Sequence, residues 1–279
     1  MKKIETSLIS KEIERLAIEA ATLIEPDVIS SIKKAKDKES GLSKTILEQI
    51  IENDEIAKNE FIPMCQDTGI MIVFVEIGNE VYIDGDLNEA INEGVRNAYV
   101  NGYLRKSVVK SPLNRINTLD NTPAIIHIKY TLGDKLKLTV CPKGAGSENM
   151  SKVKMLVPAD GIDGIKKFVK ETIVEAGGRA CPPLVVGIGI GGNLEKACLL
   201  AKEALLRPLD DESTDLDAKK LEKELLKEIN ELNIGPMGLG GATTALAVKI
   251  NLYPCHIASL PVCVNLQCHA ARHKKVILW

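Results

Sequence analysis

The chain has 279 residues, 45% of them hydrophobic, and a formal net charge of -2. Lys and Arg (36) nearly balance Asp and Glu (38), and aromatic residues make up 3%, so the basic surface and stacking platforms of nucleic-acid-binding proteins are missing. The longest apolar runs are far shorter than the roughly 20 residues that cross a bilayer. The N-terminus mixes acids with bases, unlike a secretory signal. These features predict a cytoplasmic globular protein that binds neither nucleic acid nor a membrane.

The first half of the chain alternates helical and strand patterns. Within residues 1–60, apolar residues recur at helical spacing in three segments: 8–23, 28–38 and 42–53. Period-two or continuous apolar patterns then predict strands, with a helix among them. The strands are 71–78, 81–84, 124–130 and 135–141, and the helix is 87–103. The Leu132-Gly133-Asp134 turn predicts that the last two strands pair as a hairpin.

The second half has the same mixture. Helices are predicted at 162–176, 194–206 and 216–231, a strand at 184–190, and a strand or short helix at 245–250. Glycines after residue 176 favour a helix end there. We see no internal repeat and no low-complexity linker. The sequence therefore predicts an α+β fold in one domain, 1–279, with a helical N-terminal lobe at 1–60.

Three glycine-rich segments follow predicted strands or helices. GIGIGG, 187–192, matches the G-x-G-x-x-G pattern of dinucleotide-binding turns, so a nucleotide-dependent oxidoreductase is one hypothesis. The match is partial, because Asp210 and Asp211 follow a helix instead of a second strand, so a tight strand-to-helix turn is the favoured explanation of the glycines. GPMGLGG, 235–241, and KGAGSEN, 143–149, are either polar loops or loops whose amides bind an anion.

The seven cysteines divide by their neighbours. An odd number in a chain without a signal peptide argues against a full set of disulfides. Cys141 and Cys198 lie in regular structure and are assigned to core packing, whereas Cys255 and Cys263 are ambiguous, although their apolar neighbours also favour packing. Three lie in polar or glycine-rich loops: Cys65, Cys181 and Cys268. Three thiolates suit a metal centre that keeps one coordination position open.

The histidines leave several interpretations open. His269 and His273 are four residues apart, which on a helix places both on one face. With Cys263 or Cys268 they form the hypothesis of a zinc-binding structural module. His127 falls in a strand and is assigned a structural role, whereas His256 is either a core histidine or a catalyst. Arg105 is a surface charge unless an anion lies opposite it.

Six segments in a fixed order resemble the iron-sulfur class I fumarate hydratases and the related L-tartrate dehydratases. They are CQDTG, KGAGSEN, GGRACPP, GIGIGG, GPMGLGG and HIASLPVCVNLQCHAARH. The resemblance covers nearly the whole chain. Since single-chain members continue into a second domain, it implies the alpha subunit of a two-subunit enzyme. A beta subunit would then carry the remaining active-site residues, in an α2β2 assembly.

The resemblance also implies the roles of individual residues. Cys65, Cys181 and Cys268 match the ligands of a 4Fe-4S cluster, with the fourth iron left open to substrate. Substrate-binding positions of the family match Gln66, Arg105, Gly144 and Ala145, although the family commonly has glycine where Ala145 stands. Catalytic positions match Asp67 and His256, the latter thought to reach the active site of a neighbouring protomer. The implied reaction is reversible hydration of fumarate, a small dicarboxylate, to L-malate, with L-tartrate dehydration as the alternative.

Overall fold

The computed structural model describes residues 1–279 and divides the chain into two compact units. The first unit comprises Met1–Ile24, Asn53–Ala145 and Arg272–Trp279, and the second comprises Glu25–Glu52 and Gly146–Ala271. The predicted α+β class is confirmed, since helices accompany mixed sheets throughout. The three helices predicted in 1–60 are present, but their residues belong to both units. The single-domain boundary and the separate helical lobe stay predictions.

The first unit is built on a four-stranded sheet. Its order is β10 (Lys274–Leu278), β5 (Leu136–Lys143), β2 (Ile70–Gly78) and β4 (Ile125–Thr131). A parallel pair joins β1 (Lys2–Glu5) to β3 (Val81–Asp84). Helices α1 (Thr6–Thr22) and α4 (Leu87–Asn101) contact each other and place their apolar stripes in the core. The helical spacing of Ile9, Ile13 and Leu16, all buried, explains why α1 packs through this face.

The predicted hairpin of β4 and β5 is wrong, because β2 lies between them. β2 is parallel to β4 and antiparallel to β5. Most residues of β2 are buried, so the backbone N–H and C=O groups along both of its edges need a neighbouring strand to bond with. The short connection from β4 to β5 passes across the end of β2. A Cβ added at Gly78 would lie 2.2 Å from the Gly133 carbonyl oxygen of that connection. Sequence adjacency predicted the pairing, but the burial of β2 decided the order.

The second unit has another four-stranded sheet. Its order is β6 (Lys152–Leu156), β9 (Leu260–Gln267), β7 (Leu184–Gly191) and β8 (Ala245–Tyr253). β7 is parallel to β8, and β9 is antiparallel to both β6 and β7. Its helices are α2 (Pro26–Lys36), α6 (Gly161–Ala176), α7 (Leu194–Ala204) and α8 (Leu216–Asn230). α3 (Gly41–Glu60) begins in this unit and ends in the first, and the short α5 (Ala145–Glu148) also spans the division.

The GIGIGG segment has a packing explanation. It forms the end of β7, and α7 passes directly against it. A Cβ added at Gly189 would lie 2.0 Å from the Ala197 carbonyl oxygen, and one at Gly187 would lie 2.3 Å from that of Ala201. Asp211, a candidate for the acidic residue of a dinucleotide site, does not lie at a strand end, and its carboxylate accepts a hydrogen bond from Arg207. The interpretation as a tight strand-to-helix turn therefore accounts for these glycines. In the whole structure, no helix combines the length and apolar character needed to cross a bilayer.

One carboxylate in the first unit predicts an unusual pH dependence of stability. Asp54 on α3 is 3% exposed, and neither carboxylate oxygen has a hydrogen-bond partner. Burial raises its pKa from 3.8 to about 6. Because the folded pKa exceeds the unfolded one, stabilisation from this group is greatest below pH 4 and is lost as the pH rises to about 6.

We therefore expect Asp54→Asn to stabilise the protein above pH 7. The free energy of unfolding should increase by at most about 3 kcal/mol, since one pKa unit corresponds to about 1.4 kcal/mol. This increase should vanish near pH 4, where the carboxyl is protonated in the folded protein. Urea unfolding at both pH values measures it. Asp37→Asn, at an exposed site, is the control and should change neither value by more than about 0.5 kcal/mol. A destabilised Asp54→Asn protein at high pH would contradict the assignment.

Candidate functional site

The CQDTG segment forms a tight bend before β2 in the first unit. Cys65 is half-buried and Gln66 is exposed. The Gly69 amide donates to Asp67 Oδ1 at 3.0 Å, and the Thr68 amide donates to the Gln66 carbonyl at 3.1 Å. Such side-chain-to-backbone bonds are typical of Asx turns. The sequence therefore places a thiol, an amide and a carboxylate on one locally fixed turn.

The first residues of KGAGSEN lie against this turn. Ala145 donates its amide hydrogen to Asp67 Oδ2 at 2.7 Å. A Cβ added at Gly144 would approach the same oxygen to 3.0 Å, and one at Gly69, where φ is +76°, would lie 2.5 to 2.8 Å from backbone atoms of Lys143. Glycine at both positions thus permits the close approach of the two segments. The Ala145 amide binds Asp67 in this structure, and its contact with substrate stays a prediction.

Arg105 lies on the surface of the same unit. Its side chain is exposed, and its guanidinium forms no hydrogen bond or ion pair. Its main chain, in contrast, is anchored, since the Arg105 carbonyl accepts a hydrogen bond from Thr68 Oγ1 at 3.0 Å. An anchored arginine with uncommitted donors is suited to binding a carboxylate in a two-pronged contact.

Arg272 is a residue that the sequence reasoning missed. It is 2% exposed, and its Nη2 donates to the Asp67 carbonyl at 2.9 Å. Its Nε and Nη1 are buried without a hydrogen-bond partner. A buried guanidinium is uncommon and places a positive charge directly beneath the CQDTG turn. No signal in one sequence separates it from a surface arginine, because its burial depends on where β10 begins.

The second unit holds the two other candidate cluster ligands. Cys181 follows a 3₁₀ turn at Gly177–Ala180 and has a left-handed backbone with φ of +53°. Cys268 follows the last residue of β9. The His269 amide donates to the Cys181 carbonyl at 3.2 Å, so the segments carrying the two cysteines are joined. Both thiols are half-buried.

The other cysteines have surroundings that suit packing or surface positions. Cys141 and Cys263 are buried, and Cys198 packs against Cys263. Burial raises the pKa of the Cys263 thiol, and the neighbouring Cys198 raises it further. Cys255 is exposed, which differs from the packing role expected for it, and no disulfide joins any of the seven cysteines.

His256 is exposed on the turn between β8 and β9. Its Nδ1 accepts a hydrogen bond from the Ala258 amide at 3.1 Å, which assigns the proton of the neutral ring to Nε2. The side chain lines a surface cavity of about 370 Å³ together with Ile162 and Ile257. The position does not match a buried core histidine. Its catalytic role stays a prediction.

The zinc hypothesis loses its geometric basis. Residues 268–273 have no helical structure, so the one-face argument for His269 and His273 is wrong. Cys263 points into the β9 core beside Ala197 and Ala201. No group of three or more His, Cys, Asp or Glu side chains, the four zinc candidates included, is arranged to hold a metal ion, so the cluster ligands that the resemblance implies also stay a prediction. Nothing in the structure favours a zinc module.

The two residues that follow the GPMGLGG loop, Ala242 and Thr243, bind an anionic side chain of the same unit. The Glu39 carboxylate accepts hydrogen bonds from the Thr243 amide at 2.6 Å, the Ala242 amide at 3.2 Å and the Ser43 hydroxyl at 2.9 Å. Partial burial opposes ionisation of Glu39, but these donors outweigh it and lower the pKa of the carboxyl. These two amides are thus committed to Glu39, and the amides of residues 237–240 donate to backbone carbonyls, which favours a structural role for this segment.

Comparison with known proteins gives a consistent classification. A family model described as fumarate hydratase (fumerase) matches residues 10–277. A protein of Methanocaldococcus jannaschii, provisionally named L(+)-tartrate dehydratase subunit alpha, is 48% identical over 272 residues, 95% of each chain. L(+)-tartrate dehydratase subunit alpha of Escherichia coli (strain K12) is 32% identical over 263 residues, 92% of this chain and 86% of the relative.

These matches define the class of protein as a hydro-lyase. The chain belongs to the fumarate hydratase (fumerase) family. Family membership confirms the resemblance that six sequence segments indicated.

Proposed function

We propose that the chain is the alpha subunit of an iron-sulfur hydro-lyase that reversibly hydrates fumarate to L-malate. The observation that carries this proposal is the turn at 65–69. There a half-buried thiol adjoins the anchored Asp67 carboxylate, and the same turn fixes the main chain of Arg105, whose guanidinium is uncommitted. Family membership supports the same reaction class.

We propose Cys65, Cys181 and Cys268 as the ligands of a 4Fe-4S cluster. Their chemistry fits: each is a half-buried thiol on an irregular segment, whereas the two buried cysteines lie on strands. Three thiolates leave one iron without a protein ligand. When bound, such a cluster supplies a Lewis-acidic iron that makes hydroxide a better leaving group.

The remaining residues bind the substrate and manage its charge. Arg105 binds one carboxylate, and Gln66, with the main chain at Gly144, contacts the substrate beside it. As the C–H proton next to a carboxylate leaves, negative charge grows on that carboxylate, and fixed positive charges stabilise it. Asp67 orients the Gly144–Ala145 main chain through the Ala145 amide. His256, with its proton on Nε2, is the candidate in this chain for transferring a proton.

A separate beta subunit completes the proposed active site. The relatives that match this chain are named subunit alpha, which supports such a partner. We propose that the beta subunit carries the base and further cations, and that the assembly is α2β2. The isolated chain should then bind its cluster and remain inactive.

L-tartrate dehydration to oxaloacetate and water is the second candidate. It is favoured by the names of the relatives, which are those of L(+)-tartrate dehydratase subunits. L-malate and L-tartrate are both four-carbon dicarboxylates with a hydroxyl next to a carboxylate, so the same groups in this chain would bind either.

A substrate panel tests both candidates. The chain is produced anaerobically with and without the beta subunit and assayed with fumarate, L-malate and L-tartrate. We expect fumarate hydration by the mixture and none by either chain alone. Turnover of L-tartrate without fumarate would establish the second candidate, and turnover of neither would overturn the proposal. Activity of this chain alone would contradict the divided active site.

A further inference from the structure

The segment that carries Arg105 has little regular structure. Residues 102–124 link α4 to β4, and within them only Val109 and Asn117 form an isolated bridge. Because no sheet or helix fixes this segment, its position depends on individual contacts. Leu104 anchors one point in the core, with 4% exposure. The question is what fixes the arginine relative to the Asp67 carboxylate.

Thr68 supplies the most direct connection. Its side chain is 1% exposed, and its Oγ1 donates to the Arg105 carbonyl at 3.0 Å. Thr68 is itself held, because the buried Tyr99 hydroxyl lies 2.9 Å from its carbonyl and 2.8 Å from that of Gly69. The residue before Thr68 is Asp67. One hydroxyl therefore separates the main chain of Arg105 from the turn that bears the carboxylate.

Asn121 makes a second connection between the same two segments. It is fully buried, with a φ of +62° that asparagine tolerates better than most residues. Its Oδ1 accepts the amide hydrogens of Ser107 at 2.6 Å and Val108 at 3.1 Å. Its Nδ2 donates to the Gly69 carbonyl at 3.2 Å. A side-chain amide suits this position because it donates to one segment and accepts from the other.

We propose that Thr68 and Asn121 are positioning residues that set the distance between Arg105 and the Asp67 turn for a four-carbon dicarboxylate. The inference rests on the proposed function for its ligand and on the hydrogen bonds for its geometry. One hydrogen bond, from Thr68, holds the Arg105 carbonyl itself, and the Asn121 bonds hold the amides of Ser107 and Val108 just beyond it, although the Arg105 side chain is exposed. Removing the hydrogen bonds of either residue should weaken substrate binding and reduce selectivity for dicarboxylate length, because the position of Arg105 becomes less fixed. The rate of the chemical step should change little, since neither residue is proposed to contact the reacting atoms.

The kinetic test compares Thr68→Val, which keeps the shape and removes the donor, with Thr68→Ser, which keeps the hydroxyl. In the cluster-loaded complex with the beta subunit, Thr68→Val should raise KM about tenfold, the scale of one hydrogen bond, and change kcat less than about threefold. It should also reduce the preference for inhibition by succinate over glutarate. Thr68→Ser should restore both values. Thr45→Val, exposed on α3, should change neither.

A second measurement needs no activity. Hydrogen-deuterium exchange of the isolated chain should show faster exchange at 105–108 in Asn121→Gly, because the Ser107 and Val108 amides lose their acceptor while glycine retains the positive φ. Thr68→Val should show faster exchange in the same residues, and Thr45→Val should not. If exchange rises in these variants but the complex turns over no dicarboxylate, the substrate assignment is wrong while the structural role of the Thr68 and Asn121 hydrogen bonds is supported. Unchanged exchange, an unchanged KM, or a Thr68→Ser protein as defective as Thr68→Val would overturn the positioning role.

Discussion

Cys65→Ser is expected to reduce the iron content of the anaerobically reconstituted chain below the roughly four irons of an intact cluster. Serine replaces a thiolate that binds iron strongly with a hydroxyl that is protonated at neutral pH. In the complex with the beta subunit, kcat should fall at least about 10²-fold, the scale of losing one main electrophilic group. Iron and sulfide analysis, the visible absorbance of the cluster and turnover measure these effects. Cys181→Ser and Cys268→Ser should behave alike.

Cys198→Ser is the matched control, since Cys198 is also a half-buried cysteine in a chain without disulfides. Its side chain packs against Cys263 on the α7 side of β9, so its replacement should leave the cluster and turnover unchanged. A Cys65→Ser protein with a full, stable cluster would refute its assignment as a ligand. Loss of iron in Cys198→Ser would show that the assay reports stability instead of ligation.

The largest effect on folding is expected in a charged cluster of the second unit. Arg207 donates through Nη1 to Glu222 Oε1 at 2.8 Å and through Nη2 to Asp211 Oδ1 at 2.9 Å. Lys249, 3% exposed, adds a bond of 2.7 Å to the same Asp211 oxygen. Arg207→Met would leave the 6%-exposed Glu222 without its cation. We expect the free energy of unfolding to fall by about 3 to 5 kcal/mol, measured by urea unfolding.

A second substitution identifies the cause. Adding Glu222→Gln to Arg207→Met removes the stranded charge and keeps an oxygen for the Ile250 amide, which bonds Glu222 Oε1 at 2.7 Å. The double variant should recover at least about 1 kcal/mol. Lys220→Met, on the exposed face of α8, should cost less than about 1 kcal/mol because its ion pair is exposed. Equal costs for Arg207→Met and Lys220→Met would contradict the account.

Much of the local structure was predictable because it depends on neighbouring residues. Helical spacing located α1, α4 and α6, and the glycine after residue 176 marked the end of α6. CQDTG was recognisable as a polar turn because its thiol, carboxylate and glycine lie within five residues. The order of six segments was sufficient for the family, which the comparisons confirm. Such features lie within a few residues of one another or repeat at a fixed spacing.

The tertiary structure decided what depends on distant residues. It placed β2 between β4 and β5, because the backbone groups of a strand buried on both faces need a hydrogen-bonded strand on each edge. It placed His269 and His273 on an irregular segment between β9 and β10, so the two do not share a helical face.

The residues that contact the CQDTG turn could not be predicted from the sequence either. Folding directs the Ala145 amide to Asp67 and buries Arg272 beneath the same turn. The sequence alone determined which chemical groups the turn carries and the family they indicate. Only the fold decided which distant donors hold those groups, because burial and hydrogen-bond partners depend on residues far apart in the chain.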